Sequence, residues 1–149
     1  MDDPGPQFVG LNLVATDFEA TVAFYRLLGI DIPEDKVWRT ESGRHHSEGA
    51  SMGSDAEVEI DSPALAAIYN AGYRASPSAG AMVIGFDLPT RDAVDDLHAT
   101  LVEAGYQSRQ APYDAFWGAR YAIVADPDGR DVGLMSPRDP ARRTAPPTV

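Results

Sequence analysis

A chain of 149 residues is long enough to bury a core, either as one domain or as two small fused modules. It has no cysteine, which excludes a disulfide framework, a thiolate metal site and a cysteine nucleophile. Its formal net charge of −11 opposes phosphate backbones and anionic membrane surfaces, so neither nucleic acid nor a membrane is expected as a partner. No apolar run approaches the length of a membrane span, and the acidic start Met1-Asp2-Asp3-Pro4 has no apolar export segment. A cytoplasmic location is therefore expected.

Residues 1–7 read as a flexible start. Residues 8–15 read as a strand, with Val9, Leu11 and Leu13 on one face and Phe8, Gly10, Asn12 and Val14 on the other. Asp17 offers a short acceptor at a helix start, and Glu19 suits the positive end of that helix. Phe18, Val22 and Tyr25 recur at helical spacing, and Gly29 is a natural stop. Residues 37–40 suit a short strand. Residues 45–51 and 56–60 suit a hairpin across Met52-Gly53-Ser54-Asp55, with Val58 and Ile60 alternating against Glu57, Glu59 and Asp61. Ser62-Pro63 opens a short helix that Gly72 closes. Residues 73–80 read as a linker.

The pattern then returns. Residues 81–88 alternate as a strand, with Met82, Ile84, Phe86 and Leu88 on one face. Thr90 caps a helix striped by Val94, Leu97, Leu101 and Val102, and Gly105 ends it. An aromatic stretch, Tyr113, Phe116 and Trp117, precedes two apolar runs joined by Asp126-Pro127-Asp128-Gly129. Those four residues carry turn chemistry, so the runs form a hairpin. With a four-residue loop, Ala122 faces Gly133 and Arg120 faces Met135 on one sheet face; a β-bulge would change that parity. Residues 138–149 read as a flexible tail. Strand, helix and strands thus occur twice at an offset of about 70 residues, the mark of a repeated module. The expected fold is α+β: two βαβββ modules, 8–72 and 81–137, forming a curved mixed sheet around a shared cavity. Gly10, Ala81 and Gly85 would leave the inner face roomy enough for a small molecule, or would merely let the strands curve.

Several motifs carry a family likeness. Leu13-Val14-Ala15-Thr16-Asp17, followed by Phe24-Tyr25 and Leu28-Gly29, resembles the first module of the vicinal oxygen chelate superfamily. That superfamily holds glyoxalase I, extradiol dioxygenases, fosfomycin-resistance enzymes and bleomycin-resistance proteins. Ala104-Gly105-Tyr106 and Asp126-Pro127-Asp128-Gly129 resemble its second module, and the likeness covers about residues 8–137. The resemblance implies the glyoxalase/bleomycin resistance fold. Enzymes of the superfamily usually bind a divalent metal through His or Glu at strand positions matched here by Gly10, Val83 and Gly133. None of the three is a donor, so no metal and no cofactor is expected.

The run from Trp117 through Gly118, Arg120, Tyr121 and Val124 is most similar to the metal-free, mitomycin-binding type. Those proteins are homodimers that clamp a flat ligand between aromatic side chains. The resemblance implies a homodimer with an aromatic small-molecule ligand. It places Trp117 at a stacking position and His46, through the pattern His46-x-Glu48, at a second. Trp38, Tyr113, Phe116, Arg120 and Met135 complete the candidate binding set, and no catalytic residue is assigned. From the residues alone, a Trp beside a Gly in a loop also reads as a structural plug or a dimer contact. The expected function is metal-independent sequestration of a planar small molecule, with antibiotic self-resistance as its setting. The alternatives are an enzyme on the same scaffold, a lyase, isomerase or cyclase working through Asp, His or Arg, and a non-catalytic interaction protein.

Overall fold

The computed structural model describes residues 10–51, 53–69, 73 and 82–145. The expected start at 1–7, the closing Gly72 and all of the 73–80 linker but Tyr73 lie outside the described residues. The chain divides into two compact units, Met1–Ser76 and Pro77–Val149. No helix among the described residues is long and apolar enough to cross a membrane.

The first unit runs β1 (Gly10–Val14), α1 (Phe18–Leu27), a 3-10 turn (Glu34–Lys36), β2 (Trp38–Thr40), β3 (Gly43–Ala50), β4 (Glu57–Asp61) and α2 (Pro63–Tyr69). Its sheet has the order β1-β4-β3-β2, with β1 and β4 parallel and the other pairs antiparallel. Asp17 caps α1 by accepting the Ala20 N–H at 3.0 Å, and Gly29 leaves the helix at φ 84°. The apolar stripe of α1 buries Phe18, Val22 and Tyr25 with Leu13 and Ile60 of the sheet. Phe24 and Tyr25 meet edge to face at 5.0 Å. Ser62 caps α2 through its hydroxyl, which accepts the Leu65 N–H at 3.1 Å.

The second unit repeats this order: β5 (Val83–Asp87), α3 (Arg91–Glu103), β6 (Ser108–Asp114), β7 (Arg120–Ala125) and β8 (Asp131–Met135). Its sheet is β5-β8-β7-β6, again with the outer pair β5 and β8 parallel. Thr90 caps α3 by accepting the Ala93 N–H at 3.1 Å. Val94 and Leu101 of α3 are fully buried, as are Ala122, Val124, Val132 and Leu134 of the sheet. A short 3-10 turn, Pro140–Arg142, follows β8.

One register differs from expectation. Ile123 opposes Gly133, Ala122 opposes Leu134 and Tyr121 opposes Met135. The cause is the turn. The Gly129 N–H bonds the Asp126 carbonyl at 2.9 Å, Gly129 takes φ 82°, and the Asp126 N–H then bonds the Arg130 carbonyl at 2.9 Å. A turn followed by a left-handed glycine makes a three-residue loop, one residue shorter than assumed. A one-residue shift turns each side chain to the opposite face relative to its partner. Arg120 therefore does not share a face with Met135; Tyr121 does.

Candidate functional site

Two side-chain constellations stand out, one in each unit. In the second unit, β6 and β7 meet at a tight corner, where the Ala115 N–H bonds the Ala119 carbonyl at 2.9 Å and the Gly118 N–H bonds Ala115 at 2.9 Å. Gly118 sits at φ 92°, and a Cβ there would collide with the Asp139 carbonyl, so only glycine fits. Residues after β8 brace the corner, with the Asp139 N–H on the Gly118 carbonyl and the Thr144 N–H on the Phe116 carbonyl, both at 3.0 Å.

This corner gathers four rings. Trp117 meets Phe116 at 5.1 Å, Tyr121 at 5.4 Å and Tyr113 at 6.4 Å, all edge-on. Tyr113 also meets Tyr121 at 6.2 Å. Tyr113 and Phe116 keep 37% and 40% of their surface exposed. The Trp117 indole N–H is buried and has no hydrogen-bond partner among the described residues, which leaves a donor unsatisfied among aromatic faces. Burial pushes the Tyr121 phenol up from its ordinary value, with Tyr113 and Asp131 adding to the shift.

The Tyr121 ring also covers Gly133. A Cβ built at Gly133 would lie 2.7 Å from the phenol oxygen and 3.1 Å from Val83. At Gly10 a Cβ would strike the Glu57 backbone, whereas the space beside Gly85 is open. Gly10 thus marks a close approach of β1 to β4 and not a pocket wall, and Ala81 lies outside the described residues. The positions Gly10, Val83 and Gly133 offer no metal donor, and at Gly133 a phenol occupies the space a ligating side chain would need. Among the described residues no group of three or more His, Asp or Glu side chains is arranged to hold a metal ion.

Arg120 reaches toward α3. It bonds Asp95 at 2.9 and 3.3 Å and Asp114 at 3.2 Å. Its hydrogen bonds to Asp95, then Asp114, hold the guanidinium above its ordinary value.

In the first unit, His46 and Asp61 are direct cross-strand partners. His46 Nδ1 lies 2.6 Å from Asp61 Oδ1, and Asp61 is 1% exposed. The other carboxylate oxygen accepts Asn12 Nδ2–H at 3.0 Å and the Tyr69 O–H at 2.8 Å. Asn12 donates its second hydrogen to Glu59 at 2.6 Å. Burial first, and then the Asp61 carboxylate, push the Tyr69 phenol up to about 12. A carboxylate only accepts, so Nδ1 of His46 carries the hydrogen, and in the neutral ring Nε2 carries the lone pair. Glu48 Oε1 lies 3.9 Å from Nε2.

Trp38 is half exposed and packs against His45 at 5.3 Å. It lies opposite His46 in the strand register, which then shifts. His45 is buried, with Nδ1 on Ser62 at 2.8 Å and Nε2 near Ser42 and Thr40 at 2.7 and 2.9 Å. With Trp38, Leu65 and Ile68 it lines an open cleft of about 240 Å³.

The structure thus brings Tyr113, Phe116 and Trp117 together, puts Met135 beside Tyr121, and sends Arg120 to a helix. Sequence reasoning missed Tyr121, Asp61, Asn12 and Tyr69. Extending the expected hairpin by one pair would have placed Asp61 opposite His46.

The fold is a pair of βαβββ units with an aromatic corner in one and a His–Asp pair in the other. Residues 7–134 match the family described as the Glyoxalase/Bleomycin resistance protein/Dioxygenase superfamily, and the chain belongs to it. Among solved structures, it is similar to a glyoxalase/bleomycin resistance protein/dioxygenase family enzyme from Burkholderia phytofirmans PsJN. That match has a TM-score of 0.71 and 20% identity, over 85% of this chain and 94% of the other. It is also similar to TnmS3, an antibiotic binding protein from Streptomyces sp. CB03234 (TM-score 0.61, 23% identity, 91% and 99% covered). A lactoylglutathione lyase from Agrobacterium tumefaciens shares the fold at TM-score 0.62 and 17% identity, with 90% and 96% covered. At these identities the likeness is one of fold. No curated protein matches the chain significantly.

Proposed function

We propose that this chain is a metal-independent, cytoplasmic, homodimeric protein that binds and sequesters a planar small molecule, with antibiotic resistance as its setting. The observation that carries the reading is the Trp117 indole: a buried N–H without a partner among the described residues, set among three rings of which two are exposed. An unsatisfied buried donor costs about 1–3 kcal/mol, which a ligand carbonyl would relieve. Each stacked ring adds about 0.5–1.5 kcal/mol beyond area burial. Such terms reach useful affinity without chemistry. Gly10, Val83 and Gly133, which offer no donor, support metal independence. The fold likeness to an antibiotic binding protein supports the ligand class.

The test is titration of Trp fluorescence with a panel of planar antibiotics, in a Trp38→Phe background so that Trp117 alone reports. Saturable quenching supports the reading; no response from Trp117 to any compound counts against it. A second reading, an enzyme of the same scaffold working without a metal, is favoured by the His46–Asp61 pair. Turnover of a bound compound separates the two.

A further inference from the structure

His46 has the arrangement of a base held ready. Asp61 is almost wholly buried and its carboxylate accepts from three donors, His46 Nδ1, Asn12 Nδ2 and Tyr69 Oη, at 2.6, 3.0 and 2.8 Å. That network fixes the tautomer and the tilt of the imidazole, the role a buried carboxylate plays behind a general base. It leaves the Nε2 lone pair without a hydrogen bond among the described residues, on a ring a quarter exposed.

The surroundings narrow what Nε2 can meet. Among the described residues, Glu48 on its own strand, Glu59 and Asp61 on β4, Asn12 on β1 and Tyr69 on α2 lie around it, and Arg44, two residues back on the same strand, is paired with Glu19 and Glu34. Glu48 and Glu59 are direct cross-strand partners. A face carrying these carboxylates disfavours a ligand that arrives as an anion and suits one that arrives as a neutral hydrogen-bond donor, whose charge after proton transfer is paired by the imidazolium formed in the same step. Two carboxylates flank the ring, Asp61 Oδ1 at 2.6 Å from Nδ1 and Glu48 Oε1 at 3.9 Å from Nε2. An alkyl hydroxyl is too weak an acid to give a proton to imidazole; a phenol, near 10 when unactivated, is within reach when an electron-withdrawing group lowers it.

We propose that the His46–Asp61 pair is the proton acceptor for a neutral ligand bearing an acidic hydroxyl, a phenol or an enol, which the first unit holds in ionised form. The proposal rests on the reading of the chain as a small-molecule binder. In the step, the ligand O–H bond breaks, its electron pair stays on oxygen, and the proton forms an N–H bond at Nε2. Nothing is oxidised or reduced, and the net charge of the complex is unchanged.

The test uses the full chain and 4-nitrophenol, whose phenolate absorbs visible light where the neutral phenol does not. Equilibrium dialysis measures how much probe binds; the visible spectrum measures how much of it is ionised. The expected result is a bound probe that titrates at least one pH unit below the free probe. His46→Phe keeps a flat ring for stacking and is expected to bind the probe with its titration returned to the free value. Asp61→Asn is expected to do the same; because Asp61 is buried, its fold is checked by circular dichroism, and His46→Phe decides alone if it fails. A bound probe that titrates like the free one, or a His46→Phe protein that still shifts it, overturns the proposal but leaves binding standing. Absence of probe binding up to millimolar concentration also overturns it, while the Trp117 titration with planar antibiotics judges the sequestration reading separately.

Discussion

Replacing Trp117 by Phe separates a binding residue from a structural one. The indole makes three edge-on ring contacts, to Phe116, Tyr121 and Tyr113. Phe keeps a ring in that place, so it retains part of the roughly 0.5–1.5 kcal/mol that each pair contributes. The smaller ring loses about 1–2 kcal/mol of apolar burial and packing. Against this, Phe removes the buried N–H that has no partner, a relief of about 1–3 kcal/mol. The two effects nearly cancel, and the expected change in stability is within about 1 kcal/mol of zero. Affinity for a planar ligand is expected to fall at least tenfold, because the lost stacking area and donor together reach or exceed about 1.4 kcal/mol. Urea denaturation followed by far-ultraviolet circular dichroism reads the first quantity, and calorimetry with a bound antibiotic reads the second. A loss of stability above about 2 kcal/mol with unchanged affinity would refute the reasoning and make Trp117 a plug.

Three further outcomes follow from the geometry. Gly133→Ala puts a Cβ 2.7 Å from the Tyr121 phenol oxygen; it is expected to cost about 1–3 kcal/mol, and adding Tyr121→Phe should recover part of that in a double-mutant thermal-melt cycle. Asp126→Asn weakens a buried carboxylate that accepts the Asp128 and Arg130 N–H groups at 2.9 and 2.8 Å and pairs with the Arg130 guanidinium at 2.8 Å. The expected loss is about 2–4 kcal/mol by urea denaturation, well above what an exposed turn residue would show. The Tyr69 phenol is raised in the fold to about 12, so its contribution is fully present below the unfolded value near 10 and is lost as pH rises through 12. Tyr69→Phe is expected to remove part of the alkaline loss of stability and the highest-pH component of the tyrosinate absorbance titration.

The units were legible because their ends are written in local chemistry. Asp17 and Thr90 cap α1 and α3, and Gly29 and Gly105 leave them at φ 84° and 97°. The pairing of residues 45–51 with 56–60 was equally legible, since Val58 and Ile60 alternate with acids over a short hairpin. Parity across the Asp126 turn was not. It depends on whether Asp126 joins the loop or pairs with Arg130, and the Asp126 carboxylate, which accepts the Arg130 N–H, favours the pair. That one residue exchanged Arg120 for Tyr121 beside Met135. The aromatic corner was visible because Tyr113, Phe116 and Trp117 are close in sequence. The His46 network was only half visible, since Asn12, Asp61 and Tyr69 come from three other elements. The chemistry of Gly133 was also hidden, because the group that fills its space belongs to the neighbouring strand.

The most direct test of the account is the Trp117 fluorescence titration repeated on protein dialysed against a chelator, with and without added divalent metal. The account predicts saturable quenching by a planar antibiotic with the same dissociation constant in all samples, and the ligand recovered unchanged. Quenching that disappears on chelation and returns with metal, or a ligand recovered as a product, would contradict it.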